Sequence, residues 1–336
     1  MRKILMTILF SVLILIVAAV GYFFIGRAKP SEKIIWGVNF SKSQASLLGL
    51  DWKKTYLALL DDLKFKQVKI SAEWNLIETE EGEYDFKDFD WQIKEAEKRG
   101  VEVFLVTGLK TTRWPECHVP EWAKKLSWEE KEEKALALTK EVVMHYKDSP
   151  AIKYWQAENE PFFPFGECPA ILPVGFVKEE VALIKSIDNS RPVAISDSGE
   201  GSLWLLPAGI GDLVSSTLYR RIWVPQLGFY KFYLTFPHPK VFYYRRILMV
   251  EKLFDKKVIC GELQAEPWCK NQLQDCTIEE QNKTMSPEHL RKNIEFAKNT
   301  GFDEIYLWGS EWWYWLKEKQ NNPEIWNEIK DLIKKS

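Results

Sequence analysis

From Lys33 to the C-terminus, short apolar runs alternate with amphipathic stretches, and this alternation confines the chain to a parallel sheet crossed over by helices. Residues 34–40, 67–72, 101–107, 151–160, 192–196, 213–218, 257–262 and 304–308 read as strands. Between them, residues 52–63 place Tyr56, Leu57, Leu60 and Leu63 at helical spacing. Residues 85–100 form a second helical stretch that Gly100 stops. Ser127 and Glu130 make a capping box for a helix over 128–146. Further helices are expected over 174–187, behind Ser286-Pro287, and over 323–334. Eight such units over about 300 residues predict an α/β chain folded as a (β/α)8 TIM barrel.

The first thirty residues belong to a different solvent. No charge falls between Ile4 and Gly26, while Arg2 and Lys3 precede this run and Arg27 and Lys29 follow it. Such a run spans a hydrocarbon layer of about 30 Å as a helix. A cleaved signal peptide is the alternative, since Ala18-Ala19-Val20-Gly21 offers small residues. The apolar run continues through Tyr22-Phe23-Phe24, however, past the roughly 7–15 residues of a signal core. Residues 1–30 are therefore read as a single N-terminal transmembrane helix, with a secreted product if they are cut, and residues 31–336 as the barrel. Segment 223–254 mixes basic and aromatic residues; it reads as the sixth helix with an aromatic inner face, or as an amphipathic element lying against the membrane.

A net charge of −2 gives a nucleic-acid partner no electrostatic support. Of five cysteines, Cys260 lies in an apolar strand, as expected of a buried thiol. The other four fall in loops. In the barrel Cys117 and Cys168 sit on neighbouring loops and Cys269 and Cys276 share one, so two disulfides are expected, which suits an extracytoplasmic barrel. His118, His145, His238 and His289 are scattered and no Cys-x-x-Cys occurs, so no zinc site is expected. No cofactor is called for, and a monomer is expected.

Chemistry on such barrels sits at the carboxyl ends of strands. The fourth strand leads to Asn159-Glu160, stopped by Pro161, and the seventh to Gly261-Glu262. Two carboxylates converging from opposite sides of a barrel mouth suit glycosidic-bond cleavage, one as acid/base and one as nucleophile. Glu158 alternates with Glu160 and is expected to face the barrel wall or a salt bridge. Glu266 is a rival to Glu262, placed further along the loop as a substrate contact. The aromatic surplus of 16 Trp, 12 Tyr and 19 Phe is mostly core, but it also suits stacking against sugar rings. Trp114, His118, Glu73 and Glu200 occupy strand-end loops without a defined role, and Trp312 and Trp313 divide between core and cleft.

Asn159-Glu160-Pro161 resembles the Asn-Glu-Pro motif of the large (β/α)8 glycoside hydrolase clan of cellulases, mannanases and β-galactosidases. Trp74-Asn75-Leu76-Ile77-Glu78, with Glu81-Gly82-Glu83-Tyr84-Asp85-Phe86 and Asp90, is similar to the second-strand loop of its β-galactosidase-type members. Gly261-Glu262, Tyr219 and Trp308 fall where that clan carries its nucleophile, nucleophile-orienting tyrosine and sugar-stacking tryptophan. The resemblance implies a retaining enzyme in which Glu160 is the acid/base, Glu262 the nucleophile, and Asn159 a contact to the sugar 2-hydroxyl. Substrate-side residues would be Asn159, Tyr219, Trp308, Trp74, Lys69, Glu266 and Trp312. One departure is Lys69, which stands where the clan usually carries an arginine and loses the bidentate fork. Two classes stay open at this point: a membrane-anchored β-glycosidase acting on an oligo- or polysaccharide, by hydrolysis or transglycosylation, and a barrel that binds glycans without turnover.

Overall fold

The computed structural model describes residues 2–169, 171–224, 228–229 and 239–335. Helix α1 (Arg2–Phe24) is followed by strand β1 (Ile35–Phe40), helix α2 (Trp52–Asp61), β2 (Gln67–Ser71), α3 (Lys87–Glu97) and β3 (Glu102–Thr107). The chain continues through α4 (Trp128–Tyr146), β4 (Ile152–Ala157), α5 (Val174–Ile187), β5 (Val193–Asp197), α6 (Leu205–Ile210) and β6 (Leu213–Leu218). It ends with α7 (Lys240–Phe254), β7 (Lys257–Gln264), α8 (Pro287–Lys298), β8 (Glu304–Trp308) and α9 (Glu324–Lys334). Each strand pairs in parallel with the next and β8 closes on β1, so the sheet is the barrel that the alternation predicts. Strands of a closed parallel sheet are covered on both faces, and for that reason they read as apolar runs. The lower lumen is filled by Phe104, Ala194, Leu213, Ile259 and Tyr306, with Tyr154 against them.

Local signals explain most boundaries. Ser127 Oγ accepts from the Glu130 amide while Glu130 returns a bond to the Ser127 amide, and α4 starts where this box places it. Segment 223–254 contains the expected helix, α7, with Phe242 and Tyr243 buried, preceded by an antiparallel pairing of Trp223–Val224 with Gly228–Phe229. Residues 225–227 and 230–238, which the sequence reading included in that segment, lie outside the described residues. Short helices at Lys42–Leu47, Trp74–Ile77 and Ile278–Thr284, and a longer one at Ser310–Lys319, occupy stretches expected only as loops.

Helix α1 includes Ile4–Phe24, long and apolar enough to cross a membrane. Its last turn meets the barrel: the rings of Phe23 and Phe24 lie 6.1 and 5.0 Å from Phe242 in α7. The Arg245 guanidinium lies 4.9 Å from the Tyr22 ring. Both expected disulfides are present. Cys117–Cys168 joins the loops after β3 and β4, Cys269–Cys276 closes within the loop after β7, and Cys260 is a buried free thiol.

Two backbone features set the mouth. On β7, Cys260 is opposite Ser216 but Glu262 is opposite Thr217, so one extra residue bulges at Gly261. A Cβ there would lie 1.9 Å from Ser215 Oγ, which restricts the position to glycine. The second feature is at the end of β4. The ladder stops at Ala157, earlier than a strand running to Pro161, because Glu158 turns into the left-handed region (φ 62°) and Glu160 does so again (φ 43°). Such conformations cost on the order of 1 kcal/mol or more each and persist only where surroundings enforce them. Here the Glu158 carboxylate accepts from the Leu109 and Lys110 amides at 2.7 and 2.5 Å. It also faces Glu180 of α5, which Thr139 contacts at 2.9 Å. Glu158 thus turns to the wall, as alternation requires, but against a second carboxyl in place of a cation.

Burial holds both carboxyls above the ordinary range, Glu158 at about 7, and the charge of Glu158 raises Glu180 further. The unfolded chain ionises both groups near 4.5, so the folded form binds more protons between there and about 7, and stability falls as pH rises through that window. Glu180→Gln removes the second titration. Its melting temperature is expected to drop less between pH 5 and pH 8 than that of the unmodified protein, by at least about 2 °C in calorimetry.

Candidate active site

The mouth is built from strand ends and the loops behind them. From β2, Lys69 reaches up through the barrel interior with its ammonium 5.4 Å from the Phe104 ring that plugs the lumen. Its Nζ donates to Glu262 Oε1 at 3.2 Å, and both side chains are buried. On the other oxygen, the Tyr219 hydroxyl, presented at the end of β6, donates to Glu262 Oε2 at 2.9 Å. Burial beside Glu262 and Glu160 holds that phenol well above its ordinary value, so it stays a donor. Glu262 therefore has an ammonium on one oxygen and a hydroxyl on the other.

Glu160 is treated in the opposite way. Thr217 Oγ1 donates to Glu160 Oε1 at 3.1 Å, and Lys110 donates to the Glu160 backbone carbonyl at 3.0 Å. Burial first, then the nearby negative charges of Glu116 and Glu262, push this carboxyl well above the usual range. Its backbone is fixed by a 2.7 Å bond from its amide to Ser196 Oγ. That hydroxyl donates in turn to Asn159 Oδ1 at 3.1 Å. One carboxyl thus has a cation and a hydroxyl on its oxygens while the other is raised by burial and neighbouring carboxyls, a difference of surroundings of the kind acid-and-nucleophile chemistry uses.

Sequence reasoning did not single out Glu116. Glu116 lies in the loop after β3, with Oε1 3.5 Å from Asn159 Nδ2 and Oε2 3.2 Å from Lys110 Nζ. Burial pushes it up to about 8, against the pull of Lys110. Arg113 of the same loop bridges Glu266 and Glu311, the latter at 2.5 Å. Glu266 also accepts from Trp308 Nε1 at 2.7 Å. Neither Glu116 nor Arg113 has a strand or helix period to mark it, and only their position after an apolar strand hinted at the mouth.

These groups face one cleft of about 780 Å³ lined by Glu116, Glu160, Glu200, Glu262, Glu266, Tyr219 and Trp308. Its aromatic wall runs from Trp114 to Phe165 (5.8 Å between rings), on to Trp268 (5.5 Å) and then Tyr219 (5.4 Å). Trp308 is 8% exposed, and one of its faces carries the Arg113 guanidinium at 4.2 Å. Glu200 accepts from the Tyr219 amide at 3.1 Å and the Tyr243 hydroxyl at 2.7 Å, anchoring the loop that carries Tyr219, and burial pushes it up to about 7. Glu73 and His118 pair beneath the mouth at 3.6 Å.

The structure brings Glu160, Glu262, Asn159, Tyr219, Lys69, Glu266 and Trp308 together. It does not bring Trp74 or Trp312 there. Trp74 is in the core, its indole N–H donating to Glu78 at 2.6 Å with its ring edge-on to Trp122. Trp312 is likewise buried and donates to Gln281 at 2.8 Å, and Trp313 donates to the Ala265 carbonyl at 2.7 Å. Each follows a strand end, but a helical turn carries its indole back over the barrel rather than across the mouth.

A parallel eight-stranded barrel with paired carboxyls at the ends of β4 and β7 defines the class to which the chain is compared. The glycoside hydrolase family 42 pattern, described as β-galactosidase, matches residues 51–132. No curated protein matches the sequence. Among solved structures, the cold-adapted β-galactosidase from Rahnella sp. R3 aligns with a TM-score of 0.61 at 13% identity, over 92% of this chain and 57% of that one. A family 5 glycoside hydrolase from Bifidobacterium longum subsp. longum, in complex with Manβ1-4GlcNAc, aligns with a TM-score of 0.59 at 16% identity, over 90% of this chain and 78% of that one. Xylanase 10B from Thermotoga maritima aligns at 0.57 and 16% identity, over 90% of this chain and 97% of that one. This chain spans only 50–57% of the length of three of the β-galactosidases it matches. The matches are glycoside hydrolases, in line with the resemblance read from the sequence.

Removing the cation beneath Glu262 should be costly. Lys69→Met leaves a buried carboxylate without its ammonium and is expected to destabilise the fold by about 3–5 kcal/mol in denaturant titration. Lys69→Arg, which keeps the charge, should recover part of that loss.

Proposed function

We propose that this chain is a retaining β-glycosidase that cleaves an oligo- or polysaccharide by double displacement, with residues 1–30 as its anchor and residues 31–336 as an extracytoplasmic catalytic barrel. The observation that carries the reading is the opposite electrostatic treatment of two carboxyls facing one cleft, Glu262 between Lys69 and Tyr219, and Glu160 held neutral. Glu160 protonates the glycosidic oxygen as Glu262 attacks the anomeric carbon, and the leaving alcohol departs. Glu160, now a carboxylate, takes a proton from water, which releases the sugar from Glu262 with its configuration retained. Asn159 and the Trp114–Tyr219 aromatic wall are suited to hold the sugar at the reacting position. The family 42 match and the glycosidase neighbours support this class, and the two disulfides support placement outside the cytoplasm.

An activated aryl β-glycoside panel tests the reading. Turnover by the unmodified protein should fall at least about 10³-fold in Glu262→Ala. A 2-deoxy-2-fluoro glycoside should add its glycosyl mass at Glu262. Glycan binding without turnover in any form would instead make the chain a binding barrel. The acid form of Glu160 is required, so kcat/KM should decline on the alkaline side as Glu160 loses its proton. Glu116→Gln, which removes a carboxyl that raises Glu160, should move that decline to lower pH.

A further inference from the structure

Five exposed apolar side chains of the barrel lie on one arc of the mouth. Ile171 and Val174 lie at the entry to α5, and Leu203, Leu205 and Leu206 at the entry to α6, with Ile171 59%, Leu203 45% and Leu206 43% exposed. In a (β/α)8 barrel each helix is entered from the mouth side, so these residues stand level with the cleft. The loop that carries the leucines also borders the cleft wall, because a side chain at Gly201 would touch Phe163. Arg246 of α7 ties this loop down, donating to the Ser202 carbonyl at 2.5 Å and lying 3.7 Å from the Trp204 ring. The same first turns of α7 receive Phe23 and Phe24 of α1 on Phe242. The apolar arc is thus continuous with the place where the apolar helix meets the barrel. Arg27 and Lys29, both exposed, follow that helix directly, where anionic headgroups would lie.

We infer that this arc of the rim rests on the bilayer that holds α1. Leu203, Leu205, Leu206 and Ile171 enter the boundary between headgroups and acyl chains. Large exposed apolar side chains grouped in this way mark an interaction surface, and the bilayer is the partner that α1 itself brings to them. The cleft then opens beside lipid headgroups, and its substrate class is a glycan borne by, or lying on, that membrane. The inference rests on α1 as a membrane span.

The full chain is reconstituted in phosphatidylcholine/phosphatidylglycerol vesicles as Leu203→Cys, Leu206→Cys and, at the far end of α7, Leu253→Cys. Each is labelled with an environment-sensitive fluorophore; Cys260 is buried and the other cysteines are paired. Leu253 is 65% exposed and serves as the comparison. Labels at 203 and 206 should be blue-shifted and quenched by headgroup-level spin-labelled lipid at least threefold more than the label at 253. Equal quenching in protein that floats with the vesicles overturns the docking, and protein that does not float overturns the span on which it rests. Shielding that grows with protein density at fixed lipid points to a second copy and also overturns it. As a measurement without substitutions, amides of 201–206 should exchange at least tenfold more slowly in nanodiscs than in dilute detergent; unchanged exchange contradicts the inference. None of these readings uses turnover, so they stand apart from the glycosidase assignment.

Discussion

The contact between Lys69 and Glu262 organises the mouth. A carboxylate this deep needs a cation, and the ammonium can arrive only through the barrel, above Phe104 and beside the gap that Gly261 leaves open. The bulge at Gly261 turns Glu262 toward Tyr219, whose hydroxyl serves the remaining oxygen. Burial, then the charges of Glu116 and Glu262, raise Glu160 well above the ordinary carboxylate range. The two carboxyls are therefore not independent, and the state of one is set by the support given to the other.

The surroundings extend this logic. Lys110 bonds the backbone carbonyls of Glu160 and Phe163 while lying 3.2 Å from Glu116. It shapes the left-handed turn at Glu160 without hydrogen-bonding the acid's own side chain, which would otherwise be drawn toward ionisation. Arg113 is occupied by Glu266 and Glu311 and covers one face of Trp308. Lys69, Lys110 and Arg113 are each committed to particular neighbours, and burial raises the carboxyls of Glu116, Glu160 and Glu200 above their ordinary range.

The barrel was legible because its signal is repetitive: apolar runs alternating with amphipathic helices, one of them opened by a capping box, leave marks that local chemistry reads directly. Glu160 and Glu262 were legible for a related reason, since each directly follows an apolar run and the fold assigns strand ends to the mouth. The stopping of β4 at Ala157 was not, because it depends on Glu158 finding the Leu109 and Lys110 amides across a loop. Glu116 and Arg113 lie on irregular backbone with no period to betray which way they face. Tryptophan misled in the other direction, since a strand-end position says nothing of the turn that follows. Trp74 and Trp312 fold back into the core with Trp155, Trp204, Trp313 and Trp326.

The bond between Cys117 and Cys168 sews the loop holding Glu116 to the one that follows Glu160. Neither loop contributes a strand, so the cylinder can assemble without that stitch while hydrogen bonds such as those from Lys110 and Asn159 are left to join the two loops. Material made in a reducing cytosol would then pass tests of folding such as circular dichroism and yet present a slackened mouth. For this chain the choice of expression compartment is part of the assay.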